Sequence, residues 1–380
     1  MRGFWSNPER DASGEFTLPR LLQRAECRTA HAQPVPAPRM ALCTACRWLR
    51  LAIREPSKVL RKKASGGRVS VFDRRSVAGG VAILAGSMIL SGCDRGRSAA
   101  PDRSGERERT AVAALRRIEE RAKGRLGAYV YDPARDRGFG WRDGERFAHC
   151  SSFKLSLAAM MLAKGQRGEI DLDEVLHWSK ADLLSHSPVT AKHVASGLSV
   201  RDLAHATLVT SDNAAANLLL GMFGGPAELA RFWRGLGDGV SRLDRLEPEL
   251  NTVPAGTELD TTTPAAMART VAKLVLGDTL NPQNRQVLKD WMTEVETGRD
   301  RLRAGFPAGW IAGDKTGTGI GKARHTYVDL AFGGPAGKSP LFVAAYFEPA
   351  QLVEPMDPAA LSALADVGRV AAMGFGEAAQ

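Results

Sequence analysis

The chain has 380 residues and a formal net charge of +10. That charge is confined to its first quarter: residues 1–93 hold 16 Lys+Arg against 6 Asp+Glu, and residues 94–380 hold 36 of each. The globular part is electrically balanced, which removes a nucleic-acid-binding reading.

Cysteine divides the same way. Cys27, Cys43, Cys46 and Cys93 lie in the leader, and only Cys150 lies beyond it. Cys43-Thr44-Ala45-Cys46 has the spacing of half a zinc site, but no second ligand pair follows, and no metal or cofactor is expected. A lone cysteine forms no internal disulfide, so the domain depends on its core, which about 270 residues are enough to build.

Residues 1–70 are rich in Arg and Pro and fit no export pattern. The expectation is that translation starts near Val69 or Val71 and that 1–70 is over-annotated. Residues 71–93 read as an export signal. Asp73-Arg74-Arg75-Ser76 precedes an apolar run, Val77 to Leu90, too short for a comfortable membrane span. The run ends in Leu90-Ser91-Gly92-Cys93, which resembles a bacterial lipobox, with Cys93 the residue to be acylated. This implies a periplasmic protein held at the membrane by a lipid anchor. Residues 94–109 read as a polar tether.

A domain is expected over 110–378. Val112, Leu115 and Ile118 space a helix over 110–122, stopped by Gly124. Leu126–Tyr131 and Gly138–Trp141 read as a strand pair. From Ser151 the period turns helical. Ser199-Val200-Arg201-Asp202 is a capping box. Thr263-Pro264 and Asn281-Pro282 each place a cap before Pro at the first helical position, with Gly277 and Gly298 where those helices should end. Val287, Leu288, Trp291 and Met292 share one helix face and point to a core. Strands return at Trp310–Gly313, Val328–Phe332 and Leu341–Phe347, and a final helix is expected over 357–373. Strands at both ends of a helical insertion imply an α/β (α+β) fold. One antiparallel sheet is flanked by the N- and C-terminal helices, with an all-helical lobe, about 151–298, inserted and a site in the cleft between.

Four motifs carry the chemistry, in order: Ser151-Ser152-Phe153-Lys154, Ser211-Asp212-Asn213, Glu247-Pro248-Glu249-Leu250-Asn251 and Lys315-Thr316-Gly317. Each alone has an ordinary explanation, and the ordered set does not. Ser151 and Lys154, three apart at a helix start, share one face, and a serine hydroxyl needs an adjacent base to act as a nucleophile. Ser211-Asp212-Asn213 interrupts an apolar helix. It fits a cap, or a Ser211 that passes a proton and an Asn213 that holds a substrate amide. Lys315-Thr316-Gly317-Thr318-Gly319 ends an apolar strand. There Gly317 admits a ligand close to the backbone, and Lys315, Thr316 and Thr318 offer charge and hydroxyls to a carboxylate.

This set resembles the class A serine β-lactamases of the penicillin-recognising enzyme group, over about residues 105–378. The resemblance implies a monomeric enzyme that hydrolyses penicillins and cephalosporins and so confers resistance. Ser151 is then the acylated nucleophile, the N–H groups of Ser151 and Thr318 form the oxyanion hole, and Ser211 and Lys315 act at the leaving nitrogen. Arg242 to Asn251 resembles the family's Ω-loop, with Glu247 activating the second water, either Lys154 or Glu247 acting as the base in acylation, and Asn251 helping to hold that water. Arg245 and Asp260 close the loop, Glu247-Pro248 is cis, and Asn217 bonds the Glu247 region. Arg301 is preferred over Arg324 for the substrate carboxylate. His186 stands where relatives often carry an aromatic gatekeeper. Asn-Asp, common in relatives near Thr326-Tyr327, is missing here. Gly319 fills the position where some carbapenem-hydrolysing members pair a cysteine with the equivalent of Cys150. The rival readings are a penicillin-binding D-Ala-D-Ala peptidase and a β-lactam sensor that is acylated but does not turn over. Glu247 and Asn251 argue against both.

Overall fold

The computed structural model describes residues 103–375. The upstream segment 1–70, the export signal with Cys93, and tether residues 94–102 lie outside the described residues, as do 376–380. Helix α1 (Arg103–Ala122) begins seven residues earlier than its apolar spacing predicts, so 103–109 are helix rather than tether. The first turns carry no apolar face to signal them. An ion pair from Glu108 to Arg137 (2.9 Å) ties them to the sheet instead.

Five strands form one antiparallel sheet in the order β2-β1-β9-β8-β7. They are β1 (Gly124–Asp132), β2 (Arg137–Trp141), β7 (Trp310–Ile320), β8 (His325–Pro335) and β9 (Leu341–Pro349). Both faces of this sheet are covered, and the two-residue period assigns each side chain to a face. Leu126, Ala128 and Val130 of β1, with Val343, Ala345 and Phe347 of β9, pack under α1 and the C-terminal helix α9 (Pro358–Phe375). Tyr129, Phe342, Ala344 and Tyr346 face the helical lobe.

That lobe carries α2 (Phe153–Gln166), α3 (Val200–Val209), α4 (Asn213–Gly221), α5 (Ala227–Gly235), α6 (Pro264–Leu276) and α7 (Pro282–Glu294). Every residue of α2 from Phe153 to Ala163 is buried, which makes it the lobe's central helix and explains why the run is apolar apart from Lys154 and Ser156. The predicted caps are in place: Ser199, Thr263 and Asn281 accept from the backbone N–H groups of Asp202, Ala266 and Asn284. The lobe is not all-helical. Two-residue strands β3 (Phe147–Ala148) and β6 (Thr261–Thr262) pair at its base, and β4 (Val175–Leu176) pairs with β5 (Leu198–Ser199). Runs this short show no alternation in sequence.

Three boundaries differ in ways that matter for the site. Ser151 lies in a 3₁₀ turn, Cys150–Ser152, rather than in α2 itself. Lys315-Thr316-Gly317 lies in the middle of β7, not at its end, because Asp314 and Lys315 are buried strand residues with partners across the fold. Gly298 does not terminate α7, which stops at Glu294. It has φ +115° and lets the chain pass over the Asp314 carboxylate, with which any β-carbon would collide.

Candidate active site

The site forms where the turn before α2, the α3–α4 junction, the Arg242–Asp260 loop and β7 converge. Among the described residues, seven non-glycine residues have positive φ, and four of these sit here: Cys150, His186, Ser211 and Asp260. Backbone strain of this kind persists only where the surroundings enforce it.

Lys154, in the first turn of α2, is fully buried. Its Nζ lies 2.9 Å from Ser151 Oγ, 2.9 Å from Ser211 O, 2.5 Å from Asn213 Oδ1 and 2.9 Å from Glu247 Oε1. Ser151 Oγ in turn donates to Glu247 Oε1 at 3.1 Å. The hydroxyl is thus held between an amine and a carboxylate, either of which is placed to take its proton. Burial lowers the pKa of Lys154, and the Glu247 carboxylate opposes that shift.

The three residues of Ser211-Asp212-Asn213 divide between a helix cap and the site. Asp212 is the cap. Its carboxylate accepts from Ala215 N at the start of α4, and from Val189 N, Thr190 N and Thr190 Oγ1, which ties the 186–190 loop to the helix. Ser211 and Asn213 turn toward Lys154. Asn213 also donates from Nδ2 to Ser185 O (2.8 Å). Ser211 Oγ accepts from Lys315 Nζ at 3.1 Å and stands 3.5 Å from Lys154 Nζ. Burial, then repulsion from Lys154, brings the Lys315 pKa down to about 7. Ser211 therefore sits between two amines whose protons are loosely held.

Glu247 is 2 % exposed, and its peptide to Pro248 is cis. Asn217, one turn into α4, clamps its backbone from both sides: Nδ2 donates to Glu247 O (2.9 Å), and Oδ1 accepts from Glu247 N (3.0 Å). Asn251 Nδ2 donates to Glu247 Oε2 (2.5 Å). The loop is closed by Asp260, which is fully buried. It accepts from Arg245 Nε (2.6 Å), Arg245 N (2.9 Å) and Asp244 N (2.7 Å). Arg245 also reaches Thr252 O (2.9 Å). A carboxylate holding this many donors away from water is an organising centre rather than a surface pair.

Along β7, Gly317 passes so close to the Cys150–Ser152 turn that a β-carbon would lie 2.8 Å from His149 O and 3.0 Å from Ser151 N. Only glycine permits this approach, which sets the strand backbone beside the backbone of Ser151. Arg301 is 5 % exposed and bonds Gly317 O (3.0 Å), Val328 O (2.8 Å) and Thr318 Oγ1 (2.7 Å). The Thr297 and Thr316 hydroxyls pair at 2.6 Å. Arg301, Thr316 and Thr318 thus form one ledge. Arg324 is outside it, half-exposed, with Nη1 3.6 Å from Glu348 Oε1.

A family model described as "Beta-lactamase enzyme family" matches residues 110–374. The chain belongs to this family. Its relatives include β-lactamase L2 of Stenotrophomonas maltophilia, 44 % identical over 263 residues, with 69 % of this chain and 85 % of that protein covered. A β-lactamase of Mycobacterium tuberculosis is 43 % identical over 264 residues, covering 68 % of this chain and 84 % of that protein. Among solved structures, an ancestral class A β-lactamase is 47 % identical with a TM-score of 0.66, covering 70 % of this chain and all of that one. The protein is a class A serine β-lactamase in sequence and fold, and β-lactam hydrolysis is its activity.

Two features of this β-lactamase depart from simple expectation. His186, the gatekeeper candidate, is exposed with φ +62°. Its Nε2 lies 2.8 Å from Thr210 O and its carbonyl accepts from Asn213 N, so it braces the Ser211 junction as well as standing at the loop surface. Cys150 is a free, fully buried thiol whose pKa burial pushes up, with the Glu247 and Glu348 carboxylates adding to the shift. At Gly319 a β-carbon would lie 2.9 Å from Cys150 Sγ and 2.6 Å from Asn251 O, so a side chain there would press on the loop that carries Glu247. Thr297 and Asp329, which border the ledge, were not singled out from sequence. A lone threonine and an aspartate inside an apolar strand carry no motif.

Proposed function

We propose that this β-lactamase works through a Ser151 acyl-enzyme released by water that Glu247 activates, acting on penicillins and cephalosporins as a monomer. Ser151 Oγ gives its proton to Lys154 or Glu247 and attacks the lactam carbonyl carbon. The N–H groups of Ser151 and Thr318 take the developing oxyanion, where losing one donor typically costs ~10²–10³ in rate. The carbonyl C–N bond then breaks, and the nitrogen receives a proton through Ser211, whose hydroxyl Lys315 and Lys154 flank. Glu247 next deprotonates a water that attacks the ester carbonyl, Ser151 leaves with that proton, and the ring-opened acid departs. The Arg301–Thr316–Thr318 ledge and Lys315 hold the substrate's carboxylate. The observation that carries this reading is the 3.1 Å contact of Glu247 Oε1 with Ser151 Oγ, which puts a carboxylate beside the carbon to be deacylated.

The test is nitrocefin turnover by the purified protein, followed by intact mass. Catalytic turnover is expected, with no lasting adduct in the wild type and neither turnover nor adduct in Ser151→Ala. Stoichiometric acylation of the wild type without turnover would sink the proposal in favour of a sensor or a peptidase.

We also propose export and lipid anchoring at Cys93, supported by the paired Arg74-Arg75, the apolar run to Leu90 and Leu90-Ser91-Gly92-Cys93. Extraction of the expressed protein from membranes is expected to need detergent, and Cys93→Ala to release it to the soluble fraction. Identical fractionation of the two removes the anchor.

A further inference from the structure

Behind the carboxylate ledge lie two carboxyls that the reaction itself does not use. In the β7–β8 register Asp329 pairs with Thr316 and Asp314 pairs with Ala331, so the two aspartates are diagonal neighbours on the face that carries Thr316 and Thr318. Both are completely buried. The segment that leads through Arg301 into α8 (Leu302–Gly305) roofs them. Leu302 N donates to Asp329 Oδ2 (3.0 Å), and Arg303 Nη2 stands 2.8 Å from Asp314 Oδ1.

Beyond that ion pair, Asp329 Oδ1 and both oxygens of Asp314 accept no well-aligned hydrogen bond. Ionised carboxylates are acceptors only, so two that face each other stay unsatisfied and repel. One proton between them supplies the missing hydrogen bond and removes the repulsion. Arg301 and Arg303 face the pair from the roof, Lys315 acts on Asp314 from the opposite face of β7, and Tyr327 of β8 lies beneath Arg301. Helix α7 meets β7 here through Met292 at Gly313.

We propose that Asp314 and Asp329 share one proton beneath the Thr316–Thr318 ledge and thereby set the positive charge that Arg301 presents to the substrate carboxylate. With the proton in place the array of Arg301, Arg303 and the pair is net +1, and with both aspartates ionised it is zero. Burial raises both carboxyls, Asp329 to about 6 and Asp314, which the Asp329 charge also repels, well above its ordinary value, so the proton leaves as the pH rises above the ordinary carboxylate range. The two aspartates are positioning residues. They act through Arg301 and touch no reacting atom. The proposal rests on the reading that the ledge holds the substrate carboxylate.

The experiment follows KM for a cephalosporin from pH 5 to 8 in the wild type, Asp329→Asn and Asp314→Asn, alongside infrared spectra of the free enzymes. One unit of charge about 10 Å away changes the affinity for an anion by roughly tenfold at an effective dielectric near 20. Wild-type KM is expected to rise by about that factor through the lower part of the range, with a further rise near neutrality as Lys315 deprotonates. In each variant the asparagine amide donates to the surviving carboxylate in place of the shared proton and stabilises its ionised form, so the lower step disappears and the Lys315 step remains. The methyl ester of the same substrate shows neither step. A protonated-carboxyl band present at pH 5 and lost by pH 8 in the wild type should be missing from both variants. A merely structural role would displace the variants' KM profiles without changing their shape. That outcome, in an enzyme that does hydrolyse the substrate, overturns this inference and leaves the catalytic reading standing. Lack of hydrolysis would instead defeat the catalytic reading, and the infrared band would still decide whether the proton is shared.

Discussion

Glu247→Gln is expected to be acylated by a β-lactam and then to stall, with the intact mass of the drug remaining on Ser151. Glutamine keeps the volume of the side chain and can still meet Asn251 and Ser151, so the clamp by Asn217 and the loop closure by Asp260 survive. The lost property is basicity. Removing the carboxylate also removes the charge that opposes the lowered pKa of Lys154, which leaves burial to favour the neutral amine. A neutral Lys154 at 2.9 Å from Ser151 Oγ is a competent base for acylation. Once Ser151 is esterified no carboxylate remains beside it to activate water, and Lys154 stays at the ester oxygen. Deacylation should therefore fall by about 10²–10⁴, the usual contribution of a positioned general base, while acylation persists. Rapid-quench mass spectrometry with a penicillin would show one equivalent of adduct forming in a burst and decaying slowly. Wild-type turnover in the variant would remove Glu247 from the deacylation step. Failure to acylate would make it the base for the first step and leave Lys154 without that role.

The four ordered motifs were enough to read the family, and the helix and strand periods the fold, because each motif or period keeps its local chemistry whatever surrounds it. Less visible were the features created by distant partners. Sequence places Lys315 at a strand end because a lysine interrupts an apolar run, yet Ser211, far away in the chain, makes a buried strand lysine tolerable. Asp314 and Asp329 are hidden for the same reason: they are acceptable in a sheet interior only because Arg301 and Arg303 fold over them. Gly298 reads as a helix stop and proves to be the gap that this covering segment needs. Arg301 and Arg324 are both arginines near the Lys315 motif in sequence, and only the fold separates them. One is drawn to two backbone carbonyls and the Thr318 hydroxyl, and the other is left near Glu348 at the surface.

His149 is expected to make the enzyme's stability fall steeply with acid, and His149→Leu to remove that part of the slope. The ring lies flat against Trp233, with centroids 4.8 Å apart and planes 8° apart, fully buried and with no hydrogen-bond partner for either nitrogen. Burial lowers its pKa from 6.5 to about 4, even though the Asp238, Asp260 and Asp244 carboxylates pull the other way and Arg146 adds to the fall. The native state thus resists a proton that the unfolded chain accepts. Stability from this group is complete above pH 6.5 and drains away as the pH falls toward 4, by about 3 kcal/mol over the whole interval. Leucine fills a similar space against Trp233 and binds no proton. Urea unfolding at pH 7 and pH 4.5 checks the difference. The wild type should lose about 2–3 kcal/mol more than the variant across that range, and equal losses would refute the assignment. The position gives the effect a functional edge. The backbone N–H of His149 donates to Asp260 O at 2.9 Å, its carbonyl lies against Gly317, and Ser151 follows two residues later. A proton forced onto this ring therefore loosens the joint at which the Arg242–Asp260 loop, β7 and the Cys150–Ser152 turn meet. Acid inactivation of the wild type should accordingly track the His149 step, and the leucine variant should retain activity to lower pH.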